Sequence, residues 1–266
     1  MNAEHLTALR QHELDVVTAT LASLGIHQGR LLEIGAGTGE QARVLSARGY
    51  EVTAIDLADS RYAASRVWPV IDYDGLRLPF ADHSFRIVFS SNVLEHVTNT
   101  DRMQQEIRRV LTPDGIAIHV LPSPVWRVLT QFTHYPWLLK TLLSTLVARL
   151  TGSRPPVAPT PQPRQPRIAT RSIWHRAIYA NRHGEHGNAL TEASHFRRAR
   201  WTRVFSDNDF EVIVSMPSGL LYSGYALLGE RLGIQTRERM AALFGSACHV
   251  FVLRPRRSDT SLVNGR

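Results

Sequence analysis

LLEIGAGTGE, residues 31–40, sets three glycines at alternate positions just after an apolar run that carries one carboxylate, Glu33. Glycines in that spacing serve a chain that must turn sharply and bring its backbone close to a ligand. The N-terminus of the helix that follows then offers N–H groups with no intrahelical partner. Gly35, Gly37 and Gly39 therefore mark a strand–turn–helix corner built to hold something. The glycines by themselves leave its identity open.

Outward from this corner the pattern repeats. Strand candidates are RLLEI at 30–34, EVTAID at 51–56, RIVFSS at 86–91 and GIAIHVL at 115–121. Helical stretches lie between them, one from Gln41 and one from Thr100 that is expected to stop at the turn signal TPDG. Upstream, Leu6, Leu9, Leu14, Val17, Leu21 and Leu24 recur near helical spacing, which predicts an amphipathic helix over 4–24. Near-continuous apolar strands alternating with helices mean a parallel sheet covered on both faces. After Leu121 the rhythm breaks. A helix is expected in the second half of 122–150, then a proline-rich extended loop over 151–170 that holds six of the chain's 14 prolines and no acid. A helix from EASHF, a strand at 210–216, a helical excursion from Leu220 to about Phe244 and a last strand at 247–254 complete the reading.

Composition bounds the function. The 266 residues suit one sizeable core, and the single cysteine, Cys248, excludes an internal disulfide framework and any multi-cysteine metal site. A reducing, cytosolic compartment is the default. MNAEHLTALRQHELDVV does not read as a signal peptide, and WLLKTLLSTLVARL at 137–150, broken by Lys140 and Arg149, is too short to span a bilayer. The net charge of +8 is not spread evenly: it is −1 over 1–150, +8 over 151–203 and +1 over 204–266. A solvated basic insertion or a site for an anionic partner would both account for it.

Asp56 ends EVTAID, the strand after the glycine turn, where a carboxylate can accept from both hydroxyls of a ribose. Further on, YDGLRLPFADHSFRIVFSSNVLEHV at 73–97 resembles class I S-adenosylmethionine-dependent methyltransferases, in the group whose third motif reads Asp-x-x-x-Leu-Pro-Phe followed by Ser-Phe. Asp74, Leu78, Pro79, Phe80, Ser84 and Phe85 match it. The order Gly-x-Gly-x-Gly also differs from the Gly-x-Gly-x-x-Gly that nicotinamide enzymes favour.

The resemblance covers about residues 25–122 and resumes weakly at FEVI. It implies a Rossmann-like, seven-stranded, mostly parallel sheet with helices on both faces, the last strand antiparallel and an insertion after the fifth strand. A single domain is expected: a cofactor core at 25–122, an insertion serving as acceptor lid at 123–200, C-terminal strands and a helical excursion at 201–254, and a disordered tail at 255–266. It also implies S-adenosyl-L-methionine as cofactor. Glu33 and the backbone of Gly35, Ala36, Gly37 and Gly39 would face its methionine moiety. Asp56 would hold the ribose, with Leu57 against the adenine. Asp74 would accept from the adenine amino group, Gly75 would contribute a backbone N–H, and Ser91 would pass beside the donor methyl. Arg86 departs from the pattern, which usually has aspartate after Ser-Phe, and altered local packing is expected there.

Methyl transfer to a hydroxyl or amine needs a place for a proton, and histidine is the usual base near neutral pH. His96, after the fourth strand, and His186, in HGEHGN at 183–188, are the candidate catalytic residues, and no metal is expected. The stretch SSNV stands where adenine- and glutamine-methylating enzymes carry Asn/Asp-Pro-Pro-aromatic, and there is no Pro-Cys pair. These absences favour O- or N-methylation of a small-molecule, glycan or lipid-linked acceptor. An amphipathic acceptor met at the inner membrane surface would explain the apolar runs at 130–150 and 218–229 beside the arginines. An RNA methyltransferase and a non-catalytic cofactor-binding protein are the alternatives. Nucleic acid is the less favoured partner because the basic segment is proline-broken and carries no evident stacking platform. Oligomeric state is not readable.

Overall fold

The computed structural model describes residues 3–151, 180, 183–185, 191–224 and 232–256. The chain divides into two compact units. One comprises Leu14–Leu121, Arg198–Met216 and His249–Arg266 and contains the sheet; the other, mainly helical, comprises Met1–Glu13, Pro122–Arg197 and Pro217–Cys248.

The sheet has seven strands: β1 Gly29–Ile34, β2 Tyr50–Leu57, β3 Val70–Tyr73, β4 Phe85–Ser91, β5 Leu111–Pro122, β6 Phe210–Pro217 and β7 Cys248–Pro255. Their order is β3-β2-β1-β4-β5-β7-β6. Pairs β1–β2, β1–β4, β2–β3 and β4–β5 are parallel. Leu31, Leu32 and Ile34 of β1 and Ile87, Val88 and Phe89 of β4 are fully buried, as parallel strands covered on both faces must be. Leu32, Ile34 and Val88, together with Met103, Ile107, Trp201, Phe205 and Phe251, belong to the main core of this unit. The chain leaves β1 toward β2 on one side and returns through β4 on the other. Their shared edge is thus the point where the strand order reverses, and open α/β sheets bind ligands in the crevice there. The register Ile34↔Ser90 brings the carboxyl ends of β1 and β4 level.

Several elements differ from expectation. The helix from Thr100 ends at Val110, and β5 already begins at Leu111. TPDG is absorbed into that strand as an irregularity: Phe85 pairs with Leu111 and Ile87 with Ile116, so the turn residues bulge out of the ladder without ending it. β3 fills the one place in the expected seven-stranded sheet that no sequence stretch was assigned to; it is four residues long at the sheet edge with Ile71 46% exposed, so it carries no apolar run to notice. The first helix, α1, spans Ala3–Ser23; Leu9, Leu14, Val17 and Leu21 are buried, whereas Leu6 and Leu24 are exposed. The glycine corner opens α2, Glu40–Ala47, and α3 is Thr100–Val110, capped by the Asn99 side chain accepting from Arg102 N–H.

In the helical unit α4 runs unbroken over Pro124–Leu150, through Pro136 and twice as far as expected. Ser123 Oγ accepts from Trp126 N–H and Pro124 takes the first turn, a start signal that overrides the interior proline. The EASHF helix is two: α5, Glu192–His195, and α6, Arg198–Asp207, the latter in the sheet unit. The excursion from Leu220 is not helical over 220–224, where Leu220, Leu221 and Tyr222 are buried in irregular chain, and helix α7 covers only Ile234–Phe244. Pro255, expected in the tail, closes β7. The proline-rich loop beyond Thr151 and the tail from 257 lie outside the described residues. Among the described residues, no helix is long and apolar enough to cross a membrane.

Candidate functional site

The glycine corner follows β1 at the reversal point. Gly35, Gly37 and Gly39 hold φ of 72°, 59° and 78°, left-handed conformations that side chains rarely adopt. Space is the second constraint. A Cβ on Gly35 would lie 2.5 Å from Val93 Cγ2, and one on Gly39 would lie 2.6 Å from Trp68 Cβ. Gly35 and Ala36 donate their N–H groups to Ile55 O at 2.9 and 3.0 Å, which ties the corner to the end of β2.

Asp56 closes this arrangement. Its Oδ2 accepts from Gly37 N–H at 3.0 Å and from Ser60 Oγ at 2.8 Å, and its Oδ1 accepts from Leu57 N–H at 2.8 Å. The expected ribose ligand is therefore also the clamp on the loop, which a sequence pattern has no way to signal. Leu57 beside it is 42% exposed, and a Cβ on Gly75 would lie 2.8 Å from Leu57 Cδ2. Asp74, one residue earlier, accepts from Leu76 and Arg77 N–H through Oδ1, and those bonds hold its carboxyl below the usual carboxylate range. The three residues expected around an adenine thus share one rim at the ends of β2 and β3.

Glu33 is the most perturbed acid of the site. It is 2% exposed, and its Oε2 has no hydrogen-bond partner. Burial, then the charge of Asp56, push its pKa up to about 8, against a smaller downward pull from the Ala42 backbone. In the unfolded chain the group titrates near 4.5, so between about pH 4.5 and 8 the folded state holds a proton that the unfolded state has lost. Stability should therefore fall as pH rises through that window, by up to about 1.4 kcal/mol per pH unit, and level off above it. Denaturant titrations across pH check this: Glu33→Gln should flatten the curve, and an unchanged slope would locate the proton elsewhere.

At the tip of β4, Asn92 adopts φ of 55° and donates its backbone N–H to Val120 O at 2.8 Å, and its side chain donates to Ser91 Oγ at 3.1 Å. The next turn is a short 3-10 segment, Leu94–His96, and the His96 side chain is 42% exposed there, 3.9 Å from Glu95 Oε1. His119, which sequence reasoning missed, pairs its Nδ1 with Ser90 Oγ at 2.8 Å and stacks on Phe205. Complete burial lowers its pKa to about 3, so it remains neutral and cannot serve as a base near neutral pH. His186 lies outside the described residues. Arg86 is accommodated by Gly29, whose missing Cβ would lie 3.2 Å from Arg86 Cδ.

Residues 32–119 match the family described as a methyltransferase domain. The methyltransferase match contains every described site residue named above, from Glu33 to His119. A demethylmenaquinone methyltransferase of Parafrankia sp. (strain EAN1pec) is 35% identical over 165 residues, covering 52% of this chain and 63% of that protein. A malonyl-acyl-carrier-protein O-methyltransferase of Geobacter sulfurreducens is 30% identical over 118 residues, covering 41% of this chain and 44% of that protein. The chain thus spans less than two thirds of the length of these curated relatives. Among solved structures, a chain from the complex of the Haloferax volcanii Trm112 methyltransferase activator with a methyltransferase shares the fold, with TM-score 0.53 and 13% identity over 95% of this chain and 93% of that one. The Rossmann-like methyltransferase architecture expected from the sequence is the one this chain adopts.

Proposed function

We propose that the protein is an S-adenosylmethionine-dependent methyltransferase acting on a small-molecule or amphipathic acceptor. The observation that carries this reading is Glu33: a buried carboxyl group with an unpartnered oxygen, in the field of Asp56, beside a glycine corner with no room for a Cβ at Gly35 or Gly39. A buried acid so placed is neutral on its own, and a cation brought beside it would favour its ionised form and pair with it. S-adenosylmethionine supplies an electrophilic methyl carbon on a positively charged sulfonium and carries an ammonium group. Glu33 and the backbone of Gly35–Gly39 would hold its methionine end, Asp56 its ribose, and Leu57, Asp74 and Gly75 its adenine. Ser91 lies at the tip of β4 and would flank the reacting end. His96 is the candidate base, being exposed one turn beyond β4 where His119 is sealed away.

The acceptor is read more coarsely. Relatives named for demethylmenaquinone and for malonyl-acyl carrier protein both match this chain, so the match leaves the acceptor open, and its choice is expected to reside outside residues 32–119. An acceptor with an apolar body and one hydroxyl or amine fits the apolar character of the chain after β5. Calorimetric titration with S-adenosylhomocysteine, with NAD as control, tests the cofactor reading: binding of the former alone supports it, and binding of neither overturns it. Asp56→Ala should weaken S-adenosylhomocysteine by about 1–3 kcal/mol through lost charge-assisted hydrogen bonds. Unchanged affinity would remove Asp56 from the cofactor.

A further inference from the structure

Helix α4 buries one side and exposes the wrong chemistry on the other. Trp126, Arg127, Thr130, His134 and Ala148 are its buried residues, and they include three polar ones. The exposed face is apolar: Phe132 is 68% exposed, Leu142 60% and Leu150 78%, with Leu139, Leu143 and Leu146 each above half. At about 100° per residue these side chains share one sector of the helix, about 140° wide once Val128, Tyr135 and Val147 are included. Lys140 and Arg149, both exposed, fall on opposite edges of that sector. The helix has no Asp or Glu anywhere along its 27 residues.

We propose that this face of α4 is a docking surface for an anionic lipid bilayer, with the helix lying in the interface plane. An apolar stripe bordered by cations on both sides suits a boundary where acyl chains meet negative headgroups. The long Lys140 and Arg149 side chains can reach outward from the edges while their stems cover apolar surface. The next 53 residues of the chain add a net charge of +8, of the same sign. A second copy of the chain is the rival occupant, because Val128, Phe132, Tyr135, Leu139, Leu142 and Leu146 repeat at alternating steps of four and three. Charge decides against it. Charges beside the seam set partner choice in paired helices, and here both flanks are positive, so a symmetric pair would gain no bridge and would bring like charges together.

The test is co-sedimentation of the full chain with vesicles of phosphatidylglycerol and phosphatidylcholine, and with phosphatidylcholine alone, alongside light scattering in solution. The wild type should bind the anionic vesicles preferentially. Leu139→Glu/Leu142→Glu should lower the partition coefficient at least about tenfold, and Lys140→Glu/Arg149→Glu should abolish the preference for phosphatidylglycerol. S-adenosylhomocysteine binding should be unchanged in both variants, which reports that they fold and keeps this inference separate from the cofactor reading. The second variant leaves the apolar face intact and serves if the first fails to fold. Two results would overturn the proposal: no binding of the wild type to anionic vesicles at low salt, or a dimer in solution that Leu139→Glu/Leu142→Glu converts to monomer without any change in vesicle binding.

Discussion

Glu192→Ala should destabilise the helical unit by about 3–5 kcal/mol, the usual cost of leaving one half of a buried ion pair behind. Arg127 Nε lies 2.8 Å from Glu192 Oε2, with the two side chains 2% and 0% exposed. That contact is electrostatic, since the Nε–H is not aimed along it. The other oxygen, Oε1, accepts from His183 and Gly184 N–H at 2.7 Å each. Arg127 also donates to Ala180 O at 3.3 Å, and Gln131 Oε1 accepts from Ala180 N–H at 3.1 Å. One carboxylate from α5 and two side chains from α4 therefore pin the backbone at 180, 183 and 184, and alanine would remove the carboxylate from a buried guanidinium and from two N–H groups at once. Hydrogen-exchange mass spectrometry on α4 peptides, with denaturant unfolding, reads the effect. The double variant Arg127→Met/Glu192→Leu should recover most of the loss at the pair, because apolar replacement removes the uncompensated charge. A single variant within about 0.5 kcal/mol of wild type would mean that the pair is hydrated and does no structural work.

Gly35→Ala should cost the sheet unit about 2–5 kcal/mol and abolish measurable S-adenosylhomocysteine binding. Two causes add: about 1–2 kcal/mol for a side chain at φ of 72°, and about 1–3 kcal/mol for the contact of the new methyl with Val93. They are separable. Gly25 has φ of 74° with nothing within 4 Å of the place a methyl would take, so Gly25→Ala should show the conformational cost alone. Gly35→Ala/Val93→Ala should recover the steric share and leave the rest, a coupling that a double-mutant cycle measures. Additivity of the two single variants would mean that Val93 yields freely and that the corner is less tightly closed than its contacts indicate.

The glycine corner was legible because its signals are local and obligatory. Left-handed φ at Gly35, Gly37 and Gly39 excludes other side chains, so spacing alone exposes the corner. Buried parallel strands require apolar runs, which made β1, β4 and β5 readable within a few residues. Where the signal is not local, the reading failed. β3 is short and lies at an edge, so burial imposed no pattern on it. TPDG has the chemistry of a turn, yet pairing on either side of it with β4 carries the strand through. The helix expected in the second half of 122–150 in fact starts at Pro124, where the Ser123 side chain caps it, and runs on through the exposed Pro136.

The sequence by itself determined the α/β fold class and the position of the glycine corner, because each follows from backbone conformation or from burial along a single element. Tertiary structure alone decided three things: that Asp56 clamps the loop through Gly37 and Ser60, that His119 is a sealed neutral partner of Ser90, and that the apolar residues of α4 face outward. Each of these depends on which groups meet across the fold. A hydrogen-bond partner 19 or 29 positions away, or the side of a helix that water reaches, is set by packing between elements and leaves no period in the chain to read.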